Sequence, residues 1–183
     1  MRKLISGSFL SLDGVIENPW EWIGNFFPEE NKAHASAKID ETEFFLLGRK
    51  TFERFSSTWP LRKGDEYMDK INALPKLVVS DSLINPGWNS TVLKTTDFVS
   101  KLKRLKEEGG KHILKYGLGQ LDDVLLQHGL LDELELSIIP ITVGKGKRAF
   151  EDFKARNFNL VLKDTKTFKN GVVTLRYVPE NKS

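Results

Sequence analysis

Short β-rich runs alternate with helix-like segments along most of this chain, and that alternation limits what it can fold into. Lys3–Leu12, Phe44–Leu47, Lys76–Val79, Thr91–Lys94, His112–Lys115 and Glu133–Ile139 read as strands. Between them fall the helical stretches Glu29–Lys38, Lys50–Phe55, Asp65–Ala73, Asp97–Glu108 and Gln120–His128. Gly14 to Pro28 reads as a loop rich in Gly, Pro and Trp, and Trp59 to Gly64 as irregular. Thr95 or Thr96 is placed to cap the Asp97 helix, and Gly109-Gly110 to end it. Near the C-terminus, Asn157–Phe168 and Val172–Val178 flank Asn170-Gly171, a strong short hairpin signal. Strand–helix alternation followed by a hairpin predicts an α/β fold: a mixed, mostly parallel sheet with helices on both faces and an antiparallel C-terminal hairpin.

The 183 residues suit one domain, 1–183, burying roughly 70% of its unfolded surface. Hydrophobic residues make up 39% and charged residues 29%, which is ordinary for a globular chain. Cysteine is absent, so disulfides, thiolate nucleophiles and cysteine metal sites are excluded together. His34, His112 and His128 share no metal-ligand spacing, and no metal is expected.

The net charge of +3 suits anionic small molecules as well as nucleic acid. Its densest run, Lys101 to Lys106, reads as the solvated face of a helix, with no interleaved aromatic, and no nucleic-acid partner is expected. The opening MRKLISGSFLSL imitates an export signal. However, Ser6, Gly7 and Ser8 interrupt its apolar run and Asp13 ends it, so it reads as the first strand of a cytoplasmic protein. The sequons Asn89-Ser90-Thr91 and Asn181-Lys182-Ser183 then carry no weight. No segment approaches 18 apolar residues, and no membrane span is expected.

Ligands of such sheets sit beyond the carboxyl ends of the strands. Three motifs fall there. In Gly48-Arg49-Lys50-Thr51, the glycine would let a ligand near the backbone, two side chains supply charge, and the threonine supplies a hydroxyl at a helix start. Ser80-Asp81-Ser82 follows the third strand. Tyr116-Gly117-Leu118-Gly119-Gln120 again places glycines before a helix. Each alone reads as a turn, whereas three on one sheet edge point to a dinucleotide or another polyphosphate. Neither GxGxxG after the first strand nor a P-loop is present.

Asp13, in Ser11-Leu12-Asp13-Gly14, suits either an Asx turn or the rim of a substrate pocket. Trp20, Trp22, Phe26 and Phe27 could wall such a pocket against a flat heterocycle; they suit a core or a dimer contact equally well.

The segments SFLSLDGVIE, LLGRKTFERF, LPKLVVSDSL and KYGLGQLDDVLLQHGLLDELELSIIPITVGKGKRAFE, in this order and spacing, resemble the dihydrofolate-reductase-like superfamily. They are most similar to its branch holding the C-terminal reductase domain of bacterial riboflavin biosynthesis protein. The resemblance covers nearly the whole chain. It implies the three-layer dihydrofolate-reductase-like sandwich, NADPH as cofactor and a reductase of the 5-amino-6-(5-phosphoribosylamino)uracil type. It also implies that Arg49, Lys50 and Thr51 hold the cofactor phosphates, and that Ser80 and Ser82 lie near the adenosine 2′-phosphate. Gly117, Leu118, Gly119 and Gln120 would pass under the pyrophosphate, and backbone near Phe9 and Leu10 would face the nicotinamide.

A true dihydrofolate reductase is the lesser reading, because Trp22–Phe27 lacks the carboxylate that supports pterin protonation in that family and Glu29 and Glu30 lie a little beyond it. The resemblance does not extend to the zinc deaminase domain of the bifunctional riboflavin enzymes, and with no histidine or cysteine zinc cluster, deamination by that route is not expected. Hydride transfer needs close, dry contact rather than a protein nucleophile. Asp13 or an ordered water is the candidate proton source. The alternative is a non-catalytic NADP(H)- or nucleotide-binding protein on the same fold. The resemblance implies a homodimer, and Leu134–Ile141 could serve a sheet edge, an interface or a plain core strand. Lys145-Gly146-Lys147-Arg148 reads as a tight turn with solvated charge, with substrate-phosphate binding as the lesser reading.

Overall fold

The computed structural model of the protein describes residues 1–154 and 157–180; the Asn181-Lys182-Ser183 sequon lies outside them. Among the described residues, the strands β1 (Leu4–Ser11), β2 (Thr42–Gly48), β3 (Lys76–Val79), β4 (Ser90–Leu93), β5 (His112–Tyr116), β6 (Glu133–Ile139), β7 (Leu160–Thr167) and β8 (Val173–Pro179) follow the order β4-β3-β2-β5-β1-β6-β8-β7. The chain divides into two compact units. One holds Met1–Leu4 and Lys32–Lys115, and the other holds Ile5–Asn31 and the described residues from Tyr116 onward.

In the first unit, β2 (Thr42–Gly48) pairs in parallel with β3 (Lys76–Val79) and with β5 (His112–Tyr116), and β3 pairs in parallel with β4 (Ser90–Leu93). Phe45, Leu46 and Leu47 are each under 1% exposed, so both faces of β2 are buried. That explains its unbroken apolar run, since successive side chains point to opposite faces. Helices α3 (Arg49–Ser56), α4 (Glu66–Ala73) and α5 (Phe98–Glu107) contribute Phe52, Ile71 and Leu102 to this core.

Asp65 caps α4 by accepting the Met68 N–H at 3.1 Å. The cap foreseen for α5 is different. Asp97 occupies the N-cap position, and Thr95 instead gives its N–H and its hydroxyl to the Asp81 carboxylate. Gly109 and Gly110 do end α5 with φ of 77° and 108°, where a side chain is strained.

In the second unit, β1 (Leu4–Ser11) pairs in parallel with β6 (Glu133–Ile139), β6 pairs antiparallel with β8 (Val173–Pro179), and β8 antiparallel with β7 (Leu160–Thr167). The Asn170-Gly171 turn joins the last two strands, closed by the Phe168 N–H on the Val172 carbonyl at 2.8 Å. The loop foreseen over 14–28 contains a four-residue helix, α1 (Pro19–Trp22), and a 3-10 turn at Gly24–Phe26. The helix foreseen to start at Glu29 is α2 (Glu29–Asp40), and α6 spans Gln120–Gln127.

Strand β6 has hydrogen-bonded neighbours on both sides, and Leu134 and Ile139 are fully buried. Of the three roles open to 134–141, the strand portion therefore takes the core role rather than that of a sheet edge. Among the described residues, no helix is long and apolar enough to cross a membrane, and no group of three or more His, Asp or Glu side chains is placed to hold a metal ion.

Candidate functional site

The first unit places Gly48-Arg49-Lys50-Thr51 where β2 turns into α3. Gly48 is extended, with φ −77° and ψ 158°, so the backbone does not require glycine there. A Cβ at Gly48 would meet nothing within 4 Å, which leaves open space above the helix start. No side chain caps α3, and its first turn carries no acid. Arg49 and Lys50, both exposed, instead put two cations at the positive end of the helix dipole. Each like-signed charge there costs about 0.3–1 kcal/mol. Glu53 offsets part of this, receiving Arg49 Nη1 at 3.0 and 3.3 Å on its two oxygens.

Gly48 and Val79 are register partners on β2 and β3, so Ser80 emerges beside Arg49. Ser80 is buried, and its oxygen accepts the N–H groups of Ser82 and Leu83 at 3.2 and 3.1 Å. It therefore builds the turn, and its hydroxyl also lies 3.4 Å from the Ser82 hydroxyl, with which it shares a hydrogen bond. Ser82 is exposed. Asp81 between them is exposed too, and its hydrogen bonds from Thr95 lower its pKa.

The second unit holds the glycine loop. Gly117, with φ 83°, donates its N–H to the Gly7 carbonyl at 2.9 Å, which ties the loop to β1. Gly119 donates to Asp122 Oδ2 at 2.7 Å, and the Ser6 hydroxyl donates to Asp122 Oδ1 at 2.6 Å. Asp122 is fully buried and was not foreseen. Its spacing three residues after Gly119, that of a capping box, was the available signal. Tyr116 ends β5 half-buried, the Leu118 side chain is buried, and Gln120 starts α6 exposed. A ligand here would therefore meet loop backbone rather than the leucine side chain.

Phe9, Trp22, Ile23, Phe26 and Ile141 pack, half-buried, on the buried trio Ile139, Phe168 and Val172. Phe9 also meets Phe27 edge-on at 5.6 Å between ring centroids. Leu10 lies next to Phe9 on β1, paired with Ile138. Of the foreseen wall residues, Trp22, Phe26 and Phe27 thus come together with Phe9. Trp20 stays 43% exposed and lies outside that cluster. Asn170, from the hairpin turn, was also not foreseen. Its amide donates to the Phe26 carbonyl and to Asn31 Oδ1, both at 3.1 Å, and so holds the aromatic loop in place.

The proton-donor role foreseen for Asp13 does not fit its surroundings. Its carboxylate accepts the N–H groups of Val143 and Gly144 at 2.9 and 2.7 Å and the Ser11 hydroxyl at 2.8 Å. These bonds, that from Val143 foremost, lower its pKa to about 2. The ionised form is thus favoured, and Asp13 serves as an anchor. It fastens the 143–149 segment to the segment after β1. The Ile16 N–H on the Lys147 carbonyl, the Ala149 N–H on the Gly14 carbonyl and the Arg148 guanidinium on the Asp13 carbonyl complete the seam. Lys147 pairs with Asp152, so the charges of Lys147 and Arg148, foreseen as solvated, are engaged within the protein.

Comparison with known proteins places these features in a family. The RibD C-terminal domain family matches residues 2–174. The uncharacterized protein YyaP of Bacillus subtilis (strain 168) is 28% identical over 179 residues, covering 96% of this chain and 94% of its own length. A Shewanella sp. PV-4 protein assigned to riboflavin biosynthesis superposes with a TM-score of 0.73 at 18% identity, covering 98% of this chain and 99% of its own. Dihydrofolate reductase from Enterococcus faecalis, complexed with NADP(H), superposes with a TM-score of 0.63 at 15% identity, covering 98% of this chain and 97% of its own. The fold is that of the dihydrofolate-reductase-like proteins, and the chain belongs to the RibD C-terminal domain family.

Proposed function

We propose that the protein is a reductase that takes a hydride from NADPH and delivers it to a small heterocyclic substrate, of the class of 5-amino-6-(5-phosphoribosylamino)uracil. The observation that carries this reading is the start of α3. An uncapped helix N-terminus with two cations, no acid and open space above Gly48 works against its own dipole unless an anion sits there. A cofactor phosphate is such an anion, and family membership supports a reductase rather than another phosphate binder.

When bound, the dihydronicotinamide supplies the hydride. The chain's residues bind and position. Arg49, Lys50 and the Thr51 hydroxyl take phosphate oxygens, and the Ser80 and Ser82 hydroxyls serve the adenosine ribose. The Gly117–Gly119 backbone, pinned by Asp122 and Gly7, offers a close approach to the pyrophosphate. Phe9, Trp22 and Phe26 give a flat apolar surface that excludes water from a heterocycle. With Asp13 ionised, the proton comes from water.

Titration of the purified protein with NADPH, followed by fluorescence, tests this. Saturable binding that Arg49→Gln weakens supports the reading, and no binding overturns it. The anchoring of Asp13 favours a second reading, a nucleotide-binding protein without chemistry. Loss of NADPH absorbance on addition of an aminouracil ribosyl phosphate or dihydrofolate separates the two.

A further inference from the structure

Two carboxylates stand among the cations at the ends of β2 and β3. Because Gly48 pairs with Val79, Arg49 and Ser80 leave neighbouring strands about 5 Å apart. Glu53, one turn along α3, takes the Arg49 guanidinium on both its oxygens. Asp81 lies between the two serines. Its Oδ1 accepts the Thr95 N–H at 2.9 Å, and its Oδ2 accepts the Thr95 hydroxyl. The Lys94 ammonium near it donates to the Asp81 backbone carbonyl at 2.9 Å. The Asp81 carboxylate is therefore an ion held in place, with lone pairs left over.

A ribose 2′-phosphate carries about two negative charges, so a fixed carboxylate beside it repels it. The same carboxylate accepts hydrogen bonds from a free ribose diol, as an acid does in dinucleotide folds that take NAD. Glu53 acts in the same direction, since an arginine already paired has less to offer a phosphate. Lys50 and Lys94 are then left as the cations for that group, and Lys94, beside Asp81, offsets part of its repulsion.

We propose that Asp81 and Glu53 are specificity-determining residues. They cancel most of the phosphate preference that Arg49 and Lys50 confer, so the site takes NADH and NADPH with comparable affinity. This rests on the dinucleotide reading given above and departs from a strict NADPH requirement.

The test is the ratio of NADH to NADPH dissociation constants in the wild type, Asp81→Asn and Glu53→Gln, all titrated at one salt concentration. Asparagine keeps an acceptor for the Thr95 N–H, and Glu53 lies exposed on α3, so both variants are expected to fold. The wild-type ratio should fall below about tenfold. Each variant should shift it about threefold toward NADPH, the scale of an exposed charge pair. A merely structural role would weaken both cofactors together and leave the ratio unmoved. Cofactor binding with an unmoved ratio in both variants overturns this proposal alone, as does a wild-type preference for NADPH of a hundredfold. Binding of neither cofactor by the wild type overturns the dinucleotide reading and this proposal with it.

Discussion

The Asp13 carboxylate accepts the backbone N–H of Gly144 at 2.7 Å, a bond between residues 131 apart in sequence. With the neighbouring bond from Val143 it makes one side chain the clasp between the segment after β1 and the segment after β6. The clasp is strongest as an ion. Its folded pKa, about 2, lies below the ordinary 3.8, so the folded state holds its proton less tightly than the unfolded chain. Its stabilisation is complete above pH 3.8 and is lost as the pH falls through about 2. Asp13→Asn should lower the melting temperature by an amount that is constant above pH 4 and shrinks toward pH 2. Thermal melts of both proteins across that range check this, and a difference independent of pH would refute it.

Lys76 behaves in the opposite sense. It is fully buried at the start of β3, with its ammonium 4.3 Å from the Trp88 ring centroid and donating to the carbonyls of Ile71 and Asn72 at 2.9 and 2.6 Å. Those carbonyls belong to the last turn of α4, where a cation suits the dipole. Burial still lowers its pKa from 10.5 to about 8. Between those values the unfolded chain binds the proton that the folded state has released, so stability should rise with pH from about 8 to 10.5. The gain is on the order of 1–3 kcal/mol, because the ring and the carbonyls favour the charged form and offset part of the desolvation. Urea denaturation of the wild type and Lys76→Met should show this rise in the wild type only.

Gly110 has no room for a side chain. A Cβ there would lie 2.4 Å from Arg2 Nη2 and 2.6 Å from Glu43 Oε2, at a φ of 108°. Arg2 cannot swing away cheaply. It is buried and also donates to the carbonyls of Lys111 and Leu105, each at 2.8 Å. Gly110→Ala should therefore cost about 1–3 kcal/mol by combining backbone strain with a displaced, half-exposed Glu43 partner of Arg2. Denaturant titration measures the loss. A cost under about 0.5 kcal/mol would mean that the Arg2–Glu43 pair yields easily.

Asn170 should matter to the aromatic loop more than its place in a hairpin suggests. Removing its amide leaves the Phe26 carbonyl and Asn31 Oδ1 without this donor. Asn170→Ala should destabilise the protein by about 1–2 kcal/mol and change tryptophan emission as Trp22 loosens. An unchanged emission spectrum would show that the apolar contacts of Trp22 alone hold the loop.

Local chemistry made much of the fold legible. Unbroken apolar runs marked the doubly buried strands β2 and β3, Gly109-Gly110 marked the end of α5, and Asn170-Gly171 marked the hairpin. Each of these signals acts within a few residues of itself. The three strand-end motifs were legible for the same reason, since strand ends and helix starts have their own residue chemistry. Partners far apart in sequence were not legible. Asp13 looked like a free acid until Val143 and Gly144 arrived on it, and Thr95 looked like a helix cap until Asp81 took its donors. Asp122 became a buried anchor only because β1 brings Ser6 to it.

The sequence by itself determined most of the elements, the parallel character of most of the sheet and the positions of the strand-end motifs, because helix periodicity, turn chemistry and charge placement are local properties. Tertiary structure decided which of those groups are already engaged. A carboxylate or hydroxyl acquires its role from the donors and acceptors the fold brings within 3 Å of it, and no local pattern records them.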